Sequence, residues 1–392
     1  MNMPRSVWWL VIGMALNITG SSFLWPLNTI YMNHELHKSL TVAGFVLLIN
    51  SFGMVIGNLL GGTFFDKYGG YRTIMTGTVI CLISTTLLNF FHGWPWYAVW
   101  LVCLGFGGGL IIPAIYAMAG AVWPNGGRQT FNAIYLAQNI GVALGAALGG
   151  FVAEISFNYI FIANLIMYVL FAFVAVFNFN IELEVKVKPN ETFKLFSKQY
   201  RPQFISLLLL CAMFIICWIA YIQWESTIAS FTQHLNISMR QYSLLWTVNG
   251  ILILVAQPFI APIIRLLKGN LVRQMFVGIV IFMLCFFVTS FAEQFSIMMI
   301  GMVILSLGEM FVWPAVPTIA NKLAPRGKEG SFQGYVNSAS TVGKALGPLL
   351  GGVIVDTFNI SAMFIGMIAL LFIALIFLYV FGKSFYRKDG TS

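Results

Sequence analysis

Residues 107–114 read GGGLIIPA, and residues 308–315 read GEMFVWPA. In each string a glycine stands six positions before a Pro-Ala pair: Gly107 before Pro113, and Gly308 before Pro314. A second pair of strings follows downstream. Residues 141–150 read GVALGAALGG, and residues 343–352 read GKALGPLLGG. Both carry glycine every fourth residue, at Gly141, Gly145 and Gly149 in one and at Gly343, Gly347 and Gly351 in the other, where Pro348 follows the second glycine. Two different motifs recurring at nearly the same separation, about 200 residues, mark an internal duplication. Glycine every four residues lines small side chains along one helix face, so that two backbones can approach closely without a hydrophobic driving force. A smooth face of that kind also lets one half of a molecule pivot on the other.

The composition around these motifs sets their solvent. The chain has 392 residues, 59% of them hydrophobic and only 8% charged. A soluble domain carries about 25% charged residues, so a water-soluble globular enzyme is excluded. The 36 Phe, 11 Trp and 14 Tyr exclude disorder. The apolar runs are long and unbroken, unlike the alternating segments of a membrane barrel. The chain is therefore read as an all-α integral membrane protein, with about 20 apolar residues per span. Twelve spans are predicted, at 6–31, 42–65, 72–91, 97–122, 130–155, 158–180, 204–232, 241–267, 273–292, 296–322, 330–357 and 359–383. The first is too long for a signal peptide and lacks a small-residue cleavage site, so it is taken as a retained helix.

One long polar connection, residues 181–203, divides the spans six and six. The expected organisation is an N-terminal six-helix half over 1–180, a linker over 181–203, and a C-terminal half with a short tail over 204–392. Parallel six-span repeats suit transporters that rock two halves about a central site. With twelve spans both termini share one side. Lys38 and Arg240 fall on the other side and Lys344 inside a span; all remaining lysines and arginines lie on the side of the termini. The positive-inside rule makes that side cytoplasmic and the protein multi-pass in the cell membrane. The net charge of +9 is then a topology signal matched to anionic lipid head groups and not a nucleic-acid footprint. The five cysteines lie within apolar runs, and the four histidines are scattered over short loops. Neither set forms a metal site. No phosphate loop, nucleophile elbow or zinc-protease motif is present, so neither an enzyme nor a cofactor is expected. The chain is read as a monomer whose partners are lipid, a small-molecule substrate and protons.

Three charged residues sit well inside spans: Glu225, Glu309 and Lys344. Each costs roughly 2.5–3.5 kcal/mol or more at the bilayer centre, which makes all three functional candidates for proton coupling. Glu309 and Lys344 both lie about 20 Å along successive antiparallel helices, so both approach the midplane. Two arrangements are open: a Glu309–Lys344 ion pair, or Glu309 facing a central cavity alone. Trp218, Tyr221 and Glu225 share one face of span seven, and aromatic faces beside a carboxylate suit a lipophilic cation. Asn17, Ser21, Trp25 and Asn28 in span one, Gln138 in span five, and Trp313 one turn from Glu309 complete the candidate substrate contacts.

Between spans two and three, Gly62-Thr63-Phe64-Phe65-Asp66-Lys67-Tyr68-Gly69-Gly70-Tyr71-Arg72 resembles the G-x-x-x-D-[RK]-x-G-[RK]-[RK] loop of the major facilitator superfamily, with Gly70 and Tyr71 at two of its basic positions. Asp66 at this point can neutralise a helix N-terminus or pair with Arg72. The resemblance implies that Gly62, Asp66, Gly69 and Arg72 latch the cytoplasmic side against span eleven. The Gly343–Gly352 string resembles the antiporter pattern G-x-x-x-G-P-x-x-G-G, which the family carries in span five; here span five has Ala146 in place of the proline. Short strings around Tyr31, Gln138, Glu225 and Glu309 are similar to LmrP-type multidrug transporters. That group has an acid where this chain has Ile134, and another near Gly120, which moves any proton coupling to the C-terminal half. The implied function is a drug:proton antiporter that exports lipophilic or cationic compounds by alternating access. The alternatives are a proton-coupled permease or exporter of one polar metabolite, such as a sugar, peptide or metallophore, and a non-transporting receptor or scaffold.

Overall fold

The computed structural model describes residues 3–24, 27–181, 200–267 and 269–386. Trp25, Pro26, Lys268, most of the linker and the extreme C-terminus lie outside the described residues. The described chain is built from helices and divides into two compact units: Met1–Asn190 with Ala324–Ser338, and Glu191–Leu323 with Ala339–Ser392.

The first unit begins with α1 (Arg5–Leu24) and the short α2 (Asn28–His34), followed by α3 (Leu40–Tyr68) and α4 (Gly70–Phe90). Next come α5 (Trp96–Val122), α6 (Arg128–Ile155) and α7 (Phe157–Asn178). Here α3 and α4 both pack on α5, and α6 and α7 both pack on α1. Gly69, at φ +86°, ends α3 and starts α4, a backbone conformation that a Cβ disfavours. Phe131, Phe171 and Phe179 are enclosed in this unit, whereas Phe45, Phe52, Phe173 and Phe177 are exposed. Phenylalanine on the outer faces suits hydrocarbon as solvent.

The second unit contains α8 (Arg201–Tyr221), a single 3-10 turn at Ile222–Trp224, and α9 (Thr227–His234). It continues with α10 (Met239–Val255), α11 (Gln257–Leu266), α12 (Leu271–Thr289), α13 (Phe295–Val312) and α14 (Ala315–Leu323). The long α15 (Glu329–Thr357) starts in the first unit and continues in the second, and α16 (Ile360–Tyr386) closes the chain. In the second unit α12 packs on α13 and α16, α16 on α8, and α10 on α13.

Eleven described helical segments are long and apolar enough to cross a membrane, or twelve if one bent pair is a single span. That pair is α10 with α11, which meet at 59°. It occupies the predicted span 241–267. The bend falls where Pro258, in the first turn of α11, cannot donate its amide and crowds the preceding turn. The two Pro-Ala motifs behave differently. α5 runs unbroken through Pro113, whereas the chain opens at Trp313-Pro314 and separates α13 from α14.

Candidate functional site

The second unit gathers most of the membrane-embedded charge. α8 presents Phe214, Trp218 and Tyr221 at spacings of four and three, on one face. α10 presents Tyr242, Trp246 and Asn249 with the same periodicity. α13 supplies Ser306 and Glu309, and Trp313 caps its end. These faces converge. The rings of Trp218 and Trp313 stack at 4.5 Å and 3°. Phe214 meets both of them edge-on, as does Tyr221. Trp246 and Phe282 extend the cluster around Tyr221.

Glu309 is 1% exposed. Its Oε1 accepts from Asn249 Nδ2, and its Oε2 accepts from Trp313 Nε1 at 3.2 Å. The Tyr221 hydroxyl donates a third hydrogen bond. Asn249 also donates to Ser306 Oγ at 2.9 Å, and Ser306 donates onward to the Met302 carbonyl. The donors stand on α8, on α10 and at the end of α13, so the carboxylate is held rather than loosely solvated. A charge enclosed in this way is costly unless several hydrogen bonds compensate it, and here they do.

Of the two arrangements open to Glu309, the structure shows neither a lysine partner nor a bare carboxylate. Lys344 Nζ lies instead over the Trp218 ring, 4.1 Å from its centroid. Its acidic neighbour is Glu225 and not Glu309. Glu225 is half-buried just after the 3-10 turn that interrupts α8 and α9, and its charge reaches Glu309 as well. The break at Trp224 is tied down from two directions. Tyr242 Oη donates to the Trp224 carbonyl at 2.8 Å, and Gln223 Nε2 donates to the carbonyls of Ile219 and Gly347.

The glycine ladders explain how α15 reaches this cluster. A Cβ on Gly343 would stand 2.5 Å from Trp218 Cβ, and one on Gly347 would strike Ile222. On Gly351 it would strike Gln223. The ladder therefore seats α15, which runs through Pro348, against α8 and its 3-10 turn, and this brings Lys344 onto Trp218. In the first unit Gly141, Gly145 and Gly149 face Ala15, Thr19 and Phe23 of α1 in the same manner. Both ladders thus make their close contacts inside one unit. There the missing Cβ atoms let one helix seat closely on another.

The polar residues of the first unit are placed separately. Asn28 accepts from Tyr97 Oη at 2.7 Å. Gln138 accepts from Tyr116 Oη at 3.0 Å and reaches Met14 Sδ. Ser21 bonds back to the Ile18 carbonyl of its own helix, and its side chain is exposed. Asn17 is buried, with Oδ1 unpartnered. Trp25 lies outside the described residues. The structure thus brings together Trp218, Tyr221, Glu309, Trp313 and Lys344, with Glu225 beside them. It does not join Ser21, Asn28 and Gln138 to one another by hydrogen bonds. Asn249 is the main residue that sequence reasoning missed. Its signal was available, because it is a lone amide in the apolar run of α10, but nothing in the sequence pointed it at Glu309.

At the other motif, Asp66 Oδ1 accepts from the Gly330 amide at 2.8 Å, and Oδ2 accepts from the amide and hydroxyl of Ser331. These are the first amides of α15, where orphan donors and the helix dipole favour an anion. Arg72 is exposed, and Asp66 bonds α15 instead of pairing with it. Gly62 lies against the Gly330 carbonyl so closely that a Cβ would clash. Asp66→Ala is expected to cost about 1–2 kcal/mol, the value of a lost helix-terminal acceptor. Thermal melting of the purified protein checks this, and an unchanged midpoint would show that the contact carries no stability.

Comparison with known proteins agrees with this architecture. The family model described as the Major Facilitator Superfamily matches residues 10–229 and 213–391. The uncharacterized MFS-type transporter YttB of Bacillus subtilis (strain 168) is 50% identical over 390 residues, which cover 100% of this chain and 98% of the relative. Multidrug resistance protein 1 of the same strain is 22% identical, covering 88% of this chain and 89% of its own. The crystal structure of the human organic anion transporter MFSD10 (TETRAN) superposes with a TM-score of 0.79 at 16% identity, covering 96% of this chain and 100% of that one. That likeness is one of fold. A match over nearly the whole length, together with a close full-length relative, identifies the chain as a membrane transporter and not an enzyme: it belongs to the major facilitator superfamily.

Proposed function

We propose that this transporter couples proton movement to the efflux of lipophilic compounds by alternating access, with Glu309 as the proton-carrying group. The observation that carries the reading is the enclosed Glu309 carboxylate, bonded by Asn249, Tyr221 and Trp313 and set against an aromatic cluster. Adding or removing one proton there changes the charge of a dry site and the set of hydrogen bonds it accepts. Both changes reach four helices at once: α8, α10, α13 and, through Trp218 and Lys344, α15. The aromatic surface gives lipophilic rings something to stack on. One relative is named a multidrug resistance protein, which fits export of apolar compounds.

In this reading the chain is two six-helix repeats, 1–180 and 204–392, joined by the 181–203 linker. Both termini are cytoplasmic, and the protein works as a monomer in the plasma membrane. Glu225 and Lys344 form the adjoining charge pair that senses Glu309. Asp66, with Gly62, Gly69 and Arg72 around it, holds the start of α15 in one state of the cycle and releases it in the other. Asn17 and Gln138 contribute polar contacts from the N-terminal half.

The test is movement of a neutral lipophilic dye, Nile red, in inverted membrane vesicles with an imposed pH gradient. Gradient-driven transport that collapses when a protonophore is added is the expected result. Dye movement indifferent to the protonophore would overturn proton coupling. Absence of dye movement, with saturable transport of one polar solute instead, would replace efflux with a narrow permease.

A further inference from the structure

We propose that the exposed edge of the Trp218–Lys344 contact is the head-group end of a substrate subsite for aromatic anions. Lys344 would supply the charge, and the Trp218–Trp313 stack would supply the ring contact. The inference rests on the transport reading and gives its substrate a charge.

Glu309 is enclosed, with its oxygens already bonded to Asn249, Trp313 and Tyr221. Glu225 is half-buried. Glu225 is the acidic neighbour of Lys344, but Lys344 is the more exposed of the two although it lies beside a packed cluster, so the more accessible charge of this region is positive.

The Trp218 indole has two faces, and both are occupied. Trp313 stacks on one at 4.5 Å, and the Lys344 ammonium lies 4.1 Å from the ring centroid, which the parallel stack leaves room for only on the other. Attraction between a cation and an aromatic face is what would recruit a cationic drug. Here a tethered cation already holds that position. An incoming cation must displace it and face its repulsion.

Trp218 Nε1 is buried without an acceptor. The Lys344 ammonium has three N–H groups, and contact with a π face leaves them free for conventional acceptors. Two donor groups on neighbouring side chains therefore lack an acceptor, whereas the acceptors of Glu309 are satisfied. A ligand that completes this site brings acceptor oxygens on an aromatic frame: an aryl carboxylate, sulfonate or phosphate monoester. Its oxygens bind the ammonium as the lysine swings off the ring, and its ring takes the vacated indole face.

The test uses one ring with three head groups. Purified full-length protein in detergent is equilibrated by dialysis at neutral pH with 2-naphthoate, 2-naphthamide or 2-naphthylmethylammonium. The carboxylate is expected to bind about tenfold or more tightly than the amide, the scale of one charge-assisted contact, and the ammonium most weakly. Lys344→Met should abolish the carboxylate preference and improve binding of the ammonium, whereas Lys344→Arg should keep the wild-type order. Circular dichroism and the arginine variant separate a lost charge from a lost fold. Equal binding of carboxylate and amide, a preference that survives in Lys344→Met, ammonium binding tightest in the wild type, or no binding of any probe would each overturn the proposal. Dialysis needs no gradient. Selective binding of naphthoate by a protein that fails the vesicle assay would sink proton-coupled efflux and leave the subsite standing.

Discussion

Glu309→Gln is expected to reduce pH-gradient-driven transport to the level of vesicles that lack the protein, while substrate exchange in the absence of a gradient survives. Glutamine keeps the size and shape of the side chain but cannot change its charge. It also reverses part of the hydrogen bonding. The three groups around Glu309 all donate: Asn249 Nδ2, Trp313 Nε1 and the Tyr221 hydroxyl. A carboxylate accepts from all of them. An amide offers one accepting oxygen and turns an NH2 toward at least one donor. Leaving a buried donor unmet costs about 1–3 kcal/mol, so the variant is expected to melt slightly earlier yet to fold. Tyr221 can soften the clash by rotating its hydroxyl.

Glu309→Asp distinguishes charge from position. It keeps the titratable carboxyl but withdraws it by one methylene, so the contacts to helices α8 and α10 lengthen together. Partial gradient-driven transport is expected from this variant. Full activity in Glu309→Gln would remove Glu309 from the proton path. Loss of both driven transport and exchange in Glu309→Gln would make Glu309 a substrate-site or folding residue instead.

The second large effect is expected where the glycines of residues 107–109 part company. A Cβ on Gly109 would stand 2.5 Å from the Met54 carbonyl oxygen and 2.9 Å from backbone atoms of Gly57 and Asn58. These are backbone atoms of α3, which cannot move aside as the tip of a side chain can. A Cβ on Gly108 would meet nothing within 4 Å. Gly109→Leu is therefore expected to force α3 and α5 apart, at a cost of no less than the roughly 1–3 kcal/mol of an overpacked contact. Protein yield and a monodisperse profile on size exclusion should both fall sharply. Gly108→Leu, one residue away with the same change in hydropathy and helix propensity, should behave like the wild type. Equal behaviour of the two variants would show that α5 does not approach α3 as closely as its glycines allow.

Much of the fold was legible in the residues because the bilayer imposes a length. A helix must run about 20 apolar residues to cross, and polar or charged residues are expensive between the ends. The spans read from hydropathy therefore fall close to the helices. The three intramembrane charges stood out for the same reason, since a hydrocarbon solvent makes each of them conspicuous. The family motif was legible too, because an acid beside a glycine pair stands out at the end of an apolar run.

Other features depended on tertiary structure. Hydropathy reports the solvent of a helix but not its rotation, and when every face is apolar the inward face is not marked. The sequence could therefore propose Lys344 as a partner for Glu309 by depth alone. Rotation and packing instead gave Glu309 to Asn249, Tyr221 and Trp313, and Lys344 to the face of Trp218. The glycine ladders announced close helix contact but not its address, which is α1 for one and α8 for the other. Pro113 and Pro314 sit in matching strings, yet α5 passes through the first and the chain opens at the second. Whether a proline breaks a helix depends on whether neighbouring helices re-satisfy the carbonyl it frees. The order and length of the helices followed from the residues and the solvent, whereas the partners of each buried polar group were decided by how the helices turned to meet one another.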